Sequence, residues 1–136
     1  MTYLGLDLGT KTLGISKSSG IIASLYKTLR HNEEYDLLVK EVAKIVLDEN
    51  VNKIILGYPK NMNNTLSNMT NIVLSFKEKL ERETGLEVIL EDERLTSKIS
   101  NNVLISGDMS RKKRKGVVDG VASVIILQSY LDRKDK

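Results

Sequence analysis

The chain has 136 residues, no cysteine, no tryptophan, 4% aromatic residues and a net charge of +3. A disulfide framework, a thiolate nucleophile and a cysteine-ligated zinc site are excluded, which points to a reducing cytosol, and scarce aromatics disfavour base stacking as the main binding mode. The length suits one domain over residues 1–136; with no signal-peptide pattern at the N-terminus and no apolar run near the ~18–20 residues of a membrane span, the expectation is a cytoplasmic protein without a membrane partner.

Residues 3 to 9 are apolar on both sides, as in a central strand covered on both faces. "GTKT" reads as a tight turn, "TLGISKS" as a second strand and "IIASLYKTLR" as a third, so the chain opens with an antiparallel meander. Asn32 suits a helix N-cap, with Glu33 and Glu34 in the first turn. Leu38, Val42, Ile45 and Val46 then fall on one helical stripe. The lone histidine, His31, belongs to the surface turn before that helix. "VNKIILGYP" is a fourth strand ended by the only proline, Pro59. After a polar loop, Met69, Ile72, Val73, Phe76 and Leu80 share one face of a second helix, with Gly85 placed as its C′ residue. "LEVILEDE" is a fifth strand, residues 96–106 a weaker helical segment, and "VVDGVASVIILQSYL" a closing apolar helix. The order β-β-β-α-β-α-β-α implies an α/β fold with a mixed sheet and helices on both faces.

The basic run "RKKRKG", residues 111–116, reads as a glycine-flanked loop. It is either a solvated surface or a mobile clamp for a polyanion, closing on hinges at Gly107 and Gly116.

Asp7 raises a different question, because the strand around it carries no charge to pair with it. A buried, unpaired carboxylate costs several kcal/mol even after relaxation, on the order of the penalty for burying any lone ion. Asp92 and Glu93 end the fifth strand, and Asp119 opens the last helix. With strands one, four and five adjacent, Asp7, Glu93 and Asp119 reach one end of the sheet, where only a cation would relieve their repulsion. Asp92 faces away from Glu93 if the strand persists and is the weaker candidate. Oxygen-only ligands suit Mg²⁺ or Mn²⁺, one or two ions, and two would serve phosphodiester displacement. Duller readings stay open: backbone amides satisfying Asp7, a helix N-terminus complemented by Asp119, a surface pair between Glu93 and Arg94.

The segments "GLDLGTKTLGIS", "GYPKNMNN", "EDERLTS" and "VVDGVASVIILQSYLD" resemble, in order and spacing, the YqgF family, also called RuvX, Holliday-junction-resolvase-like proteins of the ribonuclease H superfamily. The likeness runs from Tyr3 to Asp132. It implies a ribonuclease-H-like fold with strand order 3-2-1-4-5 and a nuclease maturing the 5′ end of pre-16S ribosomal RNA. The family's acidic site falls on Asp7, Glu93 and Asp119, and its polar loop on Pro59, Asn61 and Met62. Where members commonly read "GLPLNMDG", this chain has Tyr58, Lys60, Asn63 and Asn64 as local changes, none of them a proposed ligand.

The expected chemistry is metal-assisted phosphodiester hydrolysis. Asp7, Glu93 and Asp119 hold the ions, and Lys11, Arg94, Arg111, Lys112, Lys113, Arg114 and Lys115 neutralise flanking phosphates. Asn61 and the amides at the start of the second helix cradle another. RNA is favoured over branched DNA, and the assembling small ribosomal subunit is a candidate partner. Two-fold junction resolution needs paired sites, and no heptad seam or long exposed apolar helix face announces a dimer, so a monomer is expected. A non-catalytic RNA-binding assembly factor is the alternative of another class. "DLGTKTLG" also looks like the first phosphate loop of the actin, Hsp70 and sugar-kinase superfamily, but those proteins close two such domains over ATP.

Overall fold

The computed structural model describes residues 1–58, 67–92 and 111–134, with the backbone alone at 67, 68, 92 and 111–120. The described elements run β1 (Tyr3–Leu8), β2 (Thr12–Ser18), β3 (Ala23–Arg30), α1 (Tyr35–Asp48), β4 (Lys53–Tyr58), α2 (Ser67–Thr84), β5 (Val88–Asp92) and α3 (Arg111–Lys134). The strands form one five-stranded sheet in the order β3-β2-β1-β4-β5. The first three pair antiparallel, while β4 and β5 join β1 in parallel through helical crossovers. This is the mixed sheet the sequence predicts.

Alternation along β1 sorts the core. Leu4, Leu6 and Leu8 pack on the α1 and α2 side with Leu13, Ile15, Leu38, Val42, Val73, Phe76 and Leu80. Tyr3 faces the other way, with Ile55, Ile126, Leu127 and Leu131, beneath α3. Of the described helices, α1 and α2 therefore cover one face and α3 covers the other. The apolar stripe of α1 is buried as its 3.6-residue period requires. In α2, Val73, Phe76 and Leu80 are buried while Met69 and Ile72 pack at the margin. Gly85 ends α2 with φ +71° and donates its N–H to the Glu81 carbonyl at 2.9 Å, the left-handed stop that a residue without Cβ adopts freely.

Two helix starts differ from expectation. The first helix begins at Tyr35 with Glu34 as cap residue and no side-chain cap bond, so Asn32 is not its N-cap. Glu33 adopts φ +66°, and its N–H is donated to Nδ1 of His31 at 3.0 Å, which holds the turn outside the helix. The last helix begins at Arg111, so the basic run is its opening turns and not a loop, and Gly116 lies within the helix. Lysine and arginine are good helix formers, and one glycine costs only about 1 kcal/mol against the packing of the apolar turns that follow. Asp119 consequently lies eight residues inside α3 and not at its opening. The expected helical segment at 96–106 and the Gly107 hinge fall outside the described residues. Among the described residues no helix is long and apolar enough to cross a membrane.

Candidate nuclease site

Asp7 stands next to the last residue of the central strand, half-buried, on the face that α3 covers. Its partner on β2 is Gly14. On β4 the pairing runs to Leu6 with Leu56, so the next residues outward are Asp7 and Gly57. Asp7 thus has a glycine beside it in each neighbouring strand, and nothing rises from the sheet on either side. Among the described residues its carboxylate has no hydrogen-bond or ion-pair partner. The carboxylate expected to be buried is instead open to water on one side, which lowers the cost of leaving it unpaired.

The buried carboxylate is Glu91, and sequence reading passed over it. Its side chain is 4% exposed, and one oxygen accepts from the Arg133 guanidinium of α3. The other oxygen has no partner among the described residues. Glu91 pairs with Gly57 in register and lies on the same face as Asp7, since Val88 and Leu90 pack in the opposite core with Ile89 turned toward α3. The one signal available was this period of two, which puts Glu91 and Glu93 on one face and Asp92 on the other.

Close contact seats α3 over β1. A Cβ placed on Gly5 would fall 2.7 Å from the Leu127 Cβ and 3.0 Å from the Ser123 carbonyl, and against the Ser16 hydroxyl as well. Ser16 Oγ donates to that same carbonyl at 2.7 Å, deep in the core. Farther along, Tyr130 meets Tyr3 and the Lys134 ammonium lies 5.5 Å from the Tyr3 ring centre. From Ser123 to Lys134 the helix therefore descends from the level of Gly5 to that of Tyr3, antiparallel to β1. Asp119 precedes Ser123 by four positions, on the same helical stripe and about 6 Å, just over one turn, nearer the carboxyl end of β1. Asp7 lies two residues beyond Gly5, about 6.8 Å in the same direction.

At the other margin the β1–β2 turn is fastened. Gly9 N–H donates to the Thr12 carbonyl at 2.8 Å, and His31 N–H to the Lys11 carbonyl at 2.9 Å. The His31 ring lies 2.9 Å from the Gly9 carbonyl through Nε2, while Nδ1 accepts from Glu33. These roles assign a neutral ring carrying its proton on Nε2. His31 occupies the turn before α1, as expected, and pins the loop that follows Asp7. Lys11 is exposed at that turn.

Asn61, Glu93 and Arg94 lie outside the described residues, and at Asp119 and Arg111–Lys115 only the helical backbone is described. Among the described residues no three carboxylate or histidine side chains cluster in a way that would hold a metal ion.

The profile of RuvX, described as a Holliday junction resolvase, matches residues 1–133. The chain belongs to the RuvX family. It is 47% identical over 137 residues to a protein of Bacillus cytotoxicus, covering 98% of this chain and all of that one. It is 44% identical to a protein of Bacillus subtilis, over 97% of this chain and 98% of that one. Both relatives carry the name of a candidate pre-16S rRNA nuclease. Among solved structures, RuvC of Thermus thermophilus in complex with a Holliday junction superposes with TM-score 0.64 at 12% identity, covering 99% of this chain and 96% of that one. That likeness is one of fold: the RuvX chain shares the ribonuclease-H-like sheet with helices on both faces.

Proposed function

We propose that this RuvX chain, as a single cytoplasmic domain, hydrolyses phosphodiester bonds in the 5′-end maturation of pre-16S rRNA, with Asp7, Glu93 and Asp119 holding one or two Mg²⁺ or Mn²⁺ ions. The observation that carries the reading is the position of Asp7: unpartnered among the described residues, flanked by glycine in both neighbouring strands, with Asp119 on the helical stripe that lies over its strand. The names of the relatives supply the RNA and the step. The donor set fits the ions, since carboxylate oxygens without histidine or cysteine suit hard divalent cations.

Such an ion, when bound, supplies charge stabilisation at the phosphate and a lowered pKa for water. The chain supplies the rest. Asp7 offers one ligand from the central strand of the sheet, and Asp119 a second from a helix that Gly5 lets approach closely. Gly14 and Gly57 leave room for a polymer backbone beside Asp7. Lys11, Arg94, Asn61 and the cations of Arg111–Lys115 meet phosphates flanking the cleaved bond. His31, neutral and doubly bonded, holds the Gly9–Lys11 turn and needs no part in proton transfer.

The test is cleavage of an end-labelled RNA spanning the pre-16S 5′ leader, in Mg²⁺ or Mn²⁺, by the wild type and by Asp7→Asn. Metal-dependent cleavage that falls to background in the variant is expected. Equal cleavage by both proteins would overturn the site, and no cleavage of leader RNA would favour a non-catalytic RNA-binding assembly factor. A four-way DNA junction belongs in the same assay, because the family description and the RuvC likeness keep branched DNA as a second reading. Paired cutting there requires two sites at matched spacing, so a monomer in solution argues for RNA.

A further inference from the structure

The two flanks of Asp7 differ in charge. Across β2 and β3, the face that carries Asp7 continues through Gly14 to Thr28 at the same level, then outward to Thr12 and Arg30. Across β4 and β5 it continues through Gly57 to Glu91, and the chain then runs on through Asp92 and Glu93. One flank leads to a cation and hydroxyls, the other to carboxylates.

The cations on the first flank are free to act. Lys17, Lys53, Lys77 and Lys79 are engaged by Glu49, Glu87, Glu81 and Asp36, and Arg133 by Glu91. Lys11 and Arg30 are exposed and, like Lys27, Lys44 and Arg82, pair with no carboxylate among the described residues; what sets these two apart is their place at the Asp7 end of the sheet. They are also held together. Thr12 pairs with Arg30 across β2 and β3, and the next residue, His31, bonds the Lys11 carbonyl through its N–H and the Gly9 carbonyl through its ring. That clip ties the Lys11 turn to the end of β3. Two cations with fixed backbones and no carboxylate partner among the described residues form a preorganised site for two anionic groups.

We propose that a single strand of RNA bound with its reacting phosphate at Asp7 leaves the site across β2 and β3, where Arg30 and Lys11 bind the flanking phosphates over a floor of Gly14, Thr12 and Thr28. β3 lies about 9.6 Å, two strand spacings, from β1, a distance that the Arg30 side chain shortens by reaching back toward Asp7. Thr28 is exposed, so α3 leaves this part of the floor open. On the opposite flank Gly57 leads to Glu91, whose carboxylate is buried against Arg133, and no cation free of a carboxylate is offered there among the described residues. The proposal rests on the nuclease reading for its substrate, and adds Arg30, Thr12 and Thr28 and a direction to it.

Binding is measured without cleavage, in EDTA, as the anisotropy of a short labelled single-stranded RNA over a salt series. Arg30→Ala and Lys11→Ala are each expected to weaken binding about tenfold at low salt and to reduce the log–log salt slope by about 0.7, the value for one phosphate contact on a single strand. Lys40→Ala, on α1 across the sheet, is the control and leaves both unchanged. The absence of cysteine allows a second readout. RNA should protect the thiol of Thr28→Cys from a maleimide and leave that of Glu87→Cys, at the far end of β5, fully reactive. Unchanged affinity and slope in Arg30→Ala, or equal reactivity of the two thiols with and without RNA, overturns the track, as does a wild type that binds no RNA. The parallel cleavage assay separates the two ideas. Cleavage lost in Asp7→Asn but untouched in Arg30→Ala sinks the track alone, whereas RNA bound along Thr28 without metal-dependent cleavage sinks the nuclease and leaves the track.

Discussion

Asp7 and Glu91 lie on one face of the sheet under opposite conditions. Glu91 is buried and pairs with Arg133, whose own side chain is 59% exposed. Removing the guanidinium leaves a carboxylate with no partner in the core, and breaking a fully buried pair costs about 3–5 kcal/mol. Because Arg133 is more than half in water, the loss on Arg133→Ala should be smaller, about 1–3 kcal/mol, read as a lower midpoint in urea. Glu91→Gln should cost less than Arg133→Ala, since a neutral amide survives burial better than an orphaned charge. An Arg133→Ala protein as stable as the wild type would mean that something other than this pair offsets the burial of Glu91. The sequence made the carboxylates visible but assigned the burial to the wrong one. Asp7 sits in an apolar strand and looks enclosed, whereas Glu91 sits in an acidic tract and looks solvated. What decides is position across the sheet: Asp7 and Glu91 lie level with each other through Gly57, but the last turn of α3 brings Arg133 against Glu91 and leaves Asp7 half-buried.

At the scale of elements, the relation of α3 to β1 matters most, because the proposed site draws on both, Asp7 from β1 and Asp119 from α3. The approach depends on Gly5 having no Cβ and on the bond from Ser16 Oγ to the Ser123 carbonyl. Gly5→Ala puts a methyl group against the backbone of α3 as well as its Leu127 side chain. Overpacking of that kind costs about 1–3 kcal/mol, and relief comes only if the helix moves away. The variant should therefore lose leader cleavage more steeply than stability. At a temperature where it is fully folded by circular dichroism, activity should still be several-fold below the wild type. Activity that recovers in proportion to the folded fraction would mean that α3 does not set the site. The stripe of α3 from Ser123 to Leu131 and the stripe of α1 were legible, since a 3.6-residue period survives in any amphipathic helix. The start of α3 was not, because five adjacent cations and a glycine look like loop composition. In the fold they extend a helix already nucleated by its apolar turns. The start of α1 was obscured in a similar way: with its N–H bonded to the His31 ring, Glu33 adopts φ +66° and stays outside the helix that a cap at Asn32 would begin.

Across the whole molecule, three of the described ion pairs bind one element to another: Lys17 of β2 to Glu49 after α1, Lys79 of α2 to Asp36 of α1, Arg133 of α3 to Glu91 of β5. Strand order and layer arrangement were legible because each face of β1 has its own apolar partner set. The meeting of carboxylates from distant parts of the chain was an inference from that order, because no local pattern records it. If the proposed carboxylate site binds a cation at Asp7, which has no partner among the described residues, the binding has a thermodynamic signature independent of activity. A ligand that binds only the folded state stabilises it by RT ln(1 + [L]/Kd), about 2.7 kcal/mol at a hundredfold excess over Kd. For a chain of this size that corresponds to a rise in Tm on the order of 10 °C. Mn²⁺ should raise the Tm of the wild type and do little for Asp7→Asn, while in EDTA the variant should melt no lower than the wild type, because it loses a half-exposed charge with no partner to miss. Equal shifts in both proteins would place the ion elsewhere on the surface. No shift in either would remove the cation from the account of Asp7 and leave its glycine-lined position as a feature of RNA binding alone.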